Sequence, residues 1–362
     1  MAKPKKTEDI AEQIKESIDS PVNEGIGLFD RGTISTGSTL LDLEISGNRT
    51  KNGGLPGGII VEIFGPSGAG KTSILAEICA SAKANGGDFF VADPEARLDK
   101  EYARIYGLSI DKTRYSRPDT VPEMFEKIWN WEPKPENPNA ICVFAGDSLA
   151  ALSTSMEMED EDKMGMRRAK EFSEWMRKTC RKIANKNWLV VLTNQERESP
   201  TGVTTPGGKA VPYYSSLRIR VSPQMTNKYI TSTKTINGKT LEKRKGVRSK
   251  AQIKKSSIGD PYGEAPYSLI FNYGMDDLRE NLQFLKDFIE PEIDATTGKK
   301  KSVQYPCIDN TFGTIDKAIE YVESKGYEKQ IKQMVVDKWH EIQDSFKTER
   351  KTRERRQRKE FE

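Results

Sequence analysis

Residues 59–72 read IIVEIFGPSGAGKT, and SILAEICASAKA follows at 73–84. The first six residues form an apolar, β-branched run of the kind that fills a buried strand. The second stretch puts Ile74, Leu75, Ile78, Cys79 and Ala82 on one face at helical spacing. A strand, a glycine-rich turn and a helix therefore succeed one another within 26 residues. The turn, Gly65, Pro66, Ser67, Gly68, Ala69, Gly70, Lys71 and Thr72, fits the pattern G-x-x-x-x-G-K-[ST]. Its glycines let backbone N–H groups converge on phosphate oxygens, and the helix N-terminus adds its positive dipole end. Lys71 has the reach for β- and γ-phosphates, the Thr72 hydroxyl suits Mg²⁺, and Ser73 continues the cradle into the helix. An ordinary glycine-rich turn is the alternative, and the flanking strand and helix argue against it.

The same alternation continues outward. Gly86-Gly87 closes the helix, and DFFVAD (88–93), ICVFAG (141–146) and WLVVL (188–192) read as further buried strands. A helix over about 164–185 has Met166, Ala169, Phe172, Met176, Cys180 and Ile183 on its apolar face. Strands alternating with helices predict an α/β fold whose mostly parallel sheet is covered on both sides. Such sheets bind ligands at the carboxyl ends of their strands. Three polar groups fall there: Asp147, Asp93-Pro94-Glu95 and Asn194-Gln195. Asp147 suits a Mg²⁺ water shell or a simple strand-end cap. Glu95 suits a general base or a solvated loop acid. Gln195 suits a γ-phosphate sensor or a polar turn.

Composition narrows the classes. The 362 residues carry 58 Lys or Arg and 54 Asp or Glu, a net +4, with 35% hydrophobic residues. That is enough apolar material for a core, and overall charge by itself does not indicate a nucleic-acid partner. The one histidine, His340, excludes sites built from two or three His ligands. Cys79, Cys142, Cys180 and Cys307 form no C-x-x-C pair and read as thiols in a reducing compartment. The opening MAKPKKTEDIAEQ lacks an apolar stretch, so neither a secretory leader nor a membrane segment is expected, and the cytoplasm is.

Four regions follow. Residues 1–33 hold a short helix with Ile10, Ile14 and Ile18 in a stripe, suited to oligomerisation. Residues 34–274 are the α/β core, 275–346 a small separate α/β unit, and 347–362 a basic tail. Within the core, residues 228–255 carry ten Lys or Arg and one acid, with a hairpin signal at Asn237-Gly238.

In order along the chain, STGSTLLD (35–42), GGLPGGIIVEIFGPSGAGKT (53–72), DPEARLDKEYAR (93–104), RPDT (117–120), DSLAAL (147–152), NQ (194–195) and TTPGG (204–208) resemble the bacterial and phage RecA-type recombinases. The resemblance spans residues 34–274 and implies a RecA-like core with ATP and Mg²⁺ as cofactors. It implies a DNA-dependent ATPase that forms a helical filament on single-stranded DNA. That filament pairs with homologous double-stranded DNA in recombination and repair. It identifies Lys71 and Thr72 with the phosphate and Mg²⁺ residues, Glu95 with the general base and Asp147 with the second Mg²⁺ residue. It identifies Asp99 and Tyr102 with the adenine contacts and Gln195 with the switch to the DNA loop. Lys255 falls at one of two family lysines that reach ATP across the protomer interface. Ser257 stands at the other, and Lys254 or Lys250 could replace it. Loader and single-strand-binding proteins are implied as further partners.

The DNA-binding residues depart from the family pattern. The first loop, near 153–163, holds Glu157, Glu159, Asp160, Glu161 and Asp162, so Arg167, Arg168, Lys170 and Arg177 beside it are the better phosphate contacts. In the second, 196–209, Arg197, Thr204, Thr205, Gly207, Gly208 and Lys209 can meet a DNA backbone. The tail is basic where the familiar bacterial members have an acidic one, which with the divergence favours a phage member. A hexameric ring ATPase, helicase or clock-type, shares the phosphate loop and both acids, and an ATP-binding filament scaffold with little turnover is the other alternative. Lys71→Ala should abolish ATP turnover and DNA-stimulated filament growth together, as read by phosphate release and negative-stain microscopy. Wild-type turnover in that variant would refute the site.

Overall fold

The computed structural model describes residues 27–154, 164–199, 202–291, 293, 300 and 302–350. The expected N-terminal helix, the acidic run at 157–162 and most of the basic tail lie outside them. In chain order the elements are α1 (Thr39–Ser46), β1 (Ile59–Gly65), α2 (Lys71–Ala84), β2 (Phe89–Ala92), α3 (Lys100–Ile105), β3 (Tyr115–Ser116), α4 (Val121–Trp129) and β4 (Val143–Gly146). There follow α5 (Met164–Lys186), β5 (Leu189–Gln195), β6 (Arg197–Ser199), β7 (Gly202–Thr204), α6 (Ala210–Tyr214), β8 (Leu217–Pro223), β9 (Tyr229–Ile236) and β10 (Lys239–Ser256). The last are β11 (Glu264–Ile270), β12 (Gly274–Met275), α7 (Asp277–Asp287), β13 (Tyr305–Pro306), β14 (Thr311–Phe312), α8 (Ile315–Lys325) and α9 (Glu328–Ser345).

The main sheet runs β12-β11-β10-β8-β1-β5-β4-β2-β3, with β9 paired to β10. Strands β8, β1, β5, β4, β2 and β3 pair in parallel, and β9 to β12 extend the sheet antiparallel beyond β8. The apolar runs are continuous because both faces are buried. Ile59, Val61 and Ile63, with Val143, Leu189 and Val191, pack in one cluster with Ile74, Leu75 and Ile78 of α2. The intervening Ile60, Phe144, Val190 and Leu192 pack in a second cluster with Phe125 of α4 and Phe172 and Met176 of α5. The narrow residues ending β4 have a packing cause. A Cβ on Gly146 would come within 2.8 Å of the Leu192 side chain and 3.3 Å of Met124.

Two features bear on the sequence reading. Asn237 and Gly238, at φ 50 and 77, do turn a hairpin, but it is long: β9 and β10 pair from Tyr229–Val247 up to Ile236–Lys239. The described residues of 275–346, expected as a separate unit, share a cluster with the rest of the chain. Leu282, Val322, Ile331, Val335 and Trp339 join the cluster that holds α2. Helices α7 and α9 pack over α1 and extend the core there. Asp277 caps α1, accepting from Thr39 N at 2.7 Å and from Thr39 Oγ1 at 2.6 Å. Trp339 Nε1 donates to Glu44 Oε1 at 2.9 Å. No helix among the described residues is long and apolar enough to cross a membrane.

Trp339→Ala should destabilise the chain by about 3–5 kcal/mol, the usual cost of truncating a buried aromatic. Urea unfolding followed by fluorescence and circular dichroism should show one transition moved as a whole. Two transitions, with only the minor one moved, would mean that 275–346 folds by itself.

Candidate functional site

The strand register decides where the chemistry collects. Gly65 of β1 stands beside Gln195 of β5, Gly146 of β4 beside Leu192, and Ala92 of β2 beside Gly146. The carboxyl ends of four parallel strands thus open on one place. A cleft of about 600 Å³ lies there, lined by Ser67, Gly68, Gly70, Lys71, Thr72, Ser73, Glu95, Tyr102, Asp147 and Gln195.

The phosphate loop is held from behind. Tyr267 is fully buried in β11, and its hydroxyl donates to the Ala69 carbonyl at 2.6 Å. Gly70, at φ 96, permits the turn into α2, and a Cβ there would meet Leu269 Cδ1 at 2.2 Å. Lys71 Nζ donates to the Gly65 and Pro66 carbonyls, each at 2.9 Å. Burial lowers its pKa, and the Asp147 and Glu95 carboxylates oppose that shift. The ammonium is thus held at the loop's mouth, electrostatically coupled to both acids.

Asp147 is buried, and Thr72 Oγ1 donates to its Oδ2 at 2.5 Å while Thr193 Oγ1 donates to Oδ1. Burial raises its pKa, and the two hydroxyl hydrogen bonds work the other way. Glu95 Oε1 accepts from the Ser148 hydroxyl, and from Gln195 Nε2 at 3.1 Å. Its Oε2 lies 2.5 Å from Arg97 Nε. Tyr102 forms the far wall: its hydroxyl is 2.7 Å from Ser73 Oγ and 3.1 Å from the Tyr106 hydroxyl.

Other expected residues sit elsewhere. Asp99 does not line the cleft; its carboxylate caps α3, accepting from Tyr102 N at 2.7 Å, and so orients Tyr102. Lys255 is outside this protomer's cleft and donates to the Pro212 and Tyr213 carbonyls at 2.9 and 2.8 Å. Among the DNA-binding set, Lys170, Arg177, Arg197, Thr204, Gly208 and Lys209 are exposed. Arg168 and Thr205 are turned inward instead. Arg168 Nη2 donates to the Leu149 and Ala150 carbonyls at 3.0 and 2.9 Å, and Thr205 is buried beside Arg218. Gly207, at φ 97, faces Val211 and Phe172 rather than solvent. The side chain of Arg167 lies outside the described residues.

Sequence reasoning missed Thr193, Ser148, Arg97, Tyr106 and the wall Leu269–Asn272 from β11 and its turn. Arg97 and Ser148 lie inside the quoted stretches 93–104 and 147–152 without a role assigned to them, and Thr193, Tyr106 and Leu269–Asn272 fall outside every quoted stretch. Thr193 and Ser148 carried one signal, their adjacency to the strand-end residues Asn194 and Asp147.

A phosphate loop between the first parallel strand and its helix, faced by strand-end acids, defines a P-loop nucleoside triphosphatase. Residues 25–276 match the RecA N-terminal domain family. The chain is 32% identical over 264 residues to Protein RecA of Colwellia psychrerythraea, covering 70% of each chain. It is 32% identical over 250 residues to Protein RecA of Symbiobacterium thermophilum, covering 67% of this chain and 65% of that protein. It is 30% identical over 315 residues to Protein RecA of Trichodesmium erythraeum, covering 84% and 79%. The chain belongs to the RecA family: it is a DNA-dependent ATPase of homologous pairing and strand exchange.

The raised Asp147 gives a pH dependence of known sign. The folded chain keeps a proton on it at pH values where an unfolded carboxyl, near about 4, has lost one. Stability from this group therefore falls as pH rises from there to the raised folded value. Asp147→Asn should flatten that part of the profile, checked by thermal unfolding of both proteins from pH 4 to 8.

Proposed function

We propose that this protein binds ATP with its phosphates on Gly65 to Ser73 and its base against Tyr102. The Thr72 hydroxyl and the Asp147 carboxylate are hard oxygen donors that would hold a Mg²⁺ ion, Thr72 as a ligand and Asp147 through the ion's water shell, once the hydrogen bond between them opens to admit it. When bound, the ion neutralises charge on the β- and γ-phosphate oxygens. Glu95 takes the proton of the attacking water, and the Ser148 and Gln195 hydrogen bonds orient it for that task. Lys71 stabilises the charge that develops as the terminal phosphoryl group leaves ADP.

One observation carries the coupling to DNA. The Gln195 amide bonds the proposed base, and β6 begins two residues further on, in the segment that bears Arg197, Thr204 and Lys209. A γ-phosphate that engages Gln195 moves the end of β5, and with it the β6–β7 segment on which single-stranded DNA lies. Lys170 and Arg177 of α5 add phosphate contacts. The hairpin β9–β10 suits capture of the homologous duplex. Its cross-strand pairs Ser232–Lys243, Lys234–Leu241 and Ile236–Lys239 put three lysines on one face. In the filament Lys255 reaches the nucleotide of the adjoining protomer, and Lys254 or Lys250 supplements it. The site of action is the cytoplasm, with loader and single-strand-binding proteins as auxiliary partners.

The test is steady-state hydrolysis with and without single-stranded DNA. Glu95→Gln should keep ATP binding and slow turnover by about two to four orders of magnitude. Gln195→Ala should hydrolyse ATP slowly but lose its DNA stimulation, and ATP should no longer tighten DNA binding, by the same factor in both directions. An undiminished stimulation in Gln195→Ala would reduce that residue to a strand-end structural role.

A further inference from the structure

Arg97 is the one charged side chain in the cleft that neither the phosphate-loop motif nor the strand-end acids account for. It lines the cleft together with Ser67, Gly68, Lys71 and Thr72. It pairs through Nε with Glu95 Oε2 at 2.5 Å, yet its side chain is 55% exposed while that of Glu95 is 10% exposed. The other partners of that carboxylate, Ser148 and Gln195, sit at the ends of β4 and β5. Of the three, only the arginine is exposed.

The backbone is arranged to bring the two side chains together. Ala96, between them, is left-handed at φ 55, a conformation that L-residues rarely adopt and that persists only where surroundings impose it. Here Asp93 imposes it. Its carbonyl accepts from Ala96 N at 3.2 Å, and its buried carboxylate accepts from Leu98 N at 2.8 Å and from the Tyr115 hydroxyl at 2.9 Å. The turn 93–98 is therefore pinned at both ends, and Glu95 and Arg97 emerge on one side of it. Burial chiefly lowers the Lys71 pKa, and the Arg97 charge acts in the same direction.

We propose that Arg97 is a γ-phosphate contact acting within its own protomer, and that it holds Glu95 until the phosphate displaces it. A guanidinium prefers a doubly charged phosphate, which it can grip with its forked N–H groups, to a single carboxylate. Binding ATP rather than ADP then draws Arg97 off Glu95, frees Oε2 to accept from water, and places positive charge where the leaving phosphoryl group needs it. The ion pair is broken only when the substrate is complete, so the base is released only when it has work to do.

This inference rests on the ATPase reading above, and the experiment separates the two. Wild type, Arg97→Ala and Arg97→Lys are compared in the full chain with saturating single-stranded DNA. ATP turnover is measured, together with affinity for a non-hydrolysable ATP analogue and for ADP. Arg97→Ala should lower kcat ten- to a hundredfold and weaken the analogue at least tenfold, while ADP affinity stays within twofold. Arg97→Lys should recover most of the analogue affinity, since it keeps the charge, but only part of kcat, since it loses the fork. Turnover in Arg97→Ala equal to or above wild type would overturn the proposal. So would equal weakening of analogue and ADP, the mark of a residue that only shapes the cleft. Wild type without any ATP turnover would fail the underlying reading as well, and is distinguished because it needs no variant to be seen.

Discussion

A charge buried at the centre of the sheet sets the terms for everything around it. Glu62 is fully buried in the middle of β1, where an unpaired carboxylate would be untenable. Arg218 of β8 meets it at 2.5 Å, and the Asn194 amide of β5 donates to its other oxygen at 2.9 Å. Three parallel strands are thereby fixed in register by one group. The same partners reach outward: Asn194 also donates to the Pro206 carbonyl at 3.0 Å, and Arg218 stacks on Phe64, 4.6 Å from its ring centroid. Removing one partner of such a pair costs several kcal/mol because it strands the other charge. The network therefore ties the cleft end of β5 to the chain that follows β7.

That constraint bears on the coupling proposed for Gln195. Gln195 lies next to Asn194, so its position relative to Glu95 is set by the buried network, while its own amide stays at the cleft. Glu196, one residue on, is gripped in a fork by Arg220, at 2.9 and 3.1 Å. A short stretch held by these bonds thus separates the cleft from β6.

Much of this was legible in the linear chain. Residues 59–84 announced a strand, a phosphate loop and a helix, and the structure has β1 at Ile59–Gly65 and α2 at Lys71–Ala84. Asp147, Glu95 and Gln195 were legible because each ends an apolar run. Local periodicity and strand-end position are properties of neighbouring residues, so they survive in one dimension. What the linear chain does not carry is direction. Arg168 and Thr205 were placed on a DNA surface by charge and loop membership, yet they bond Leu149, Ala150 and Arg218 inside the fold. Nothing in a helix-borne arginine or a loop threonine says which way it faces until its neighbours are known.

The sequence by itself determined the chemistry available: a lysine and a threonine on a glycine loop, two acids and a glutamine at strand ends, and lysines gathered beyond residue 227. The tertiary structure alone decided how they meet. It shared Asp147 between Thr72 and Thr193, and it merged residues 275–346 into the main core. It also turned Arg97 onto Glu95 through a left-handed alanine. The physical reason is the same in each case. Motifs record which groups a short stretch can offer, whereas burial, register and pairing depend on residues that are distant in sequence and become neighbours only when the strands align.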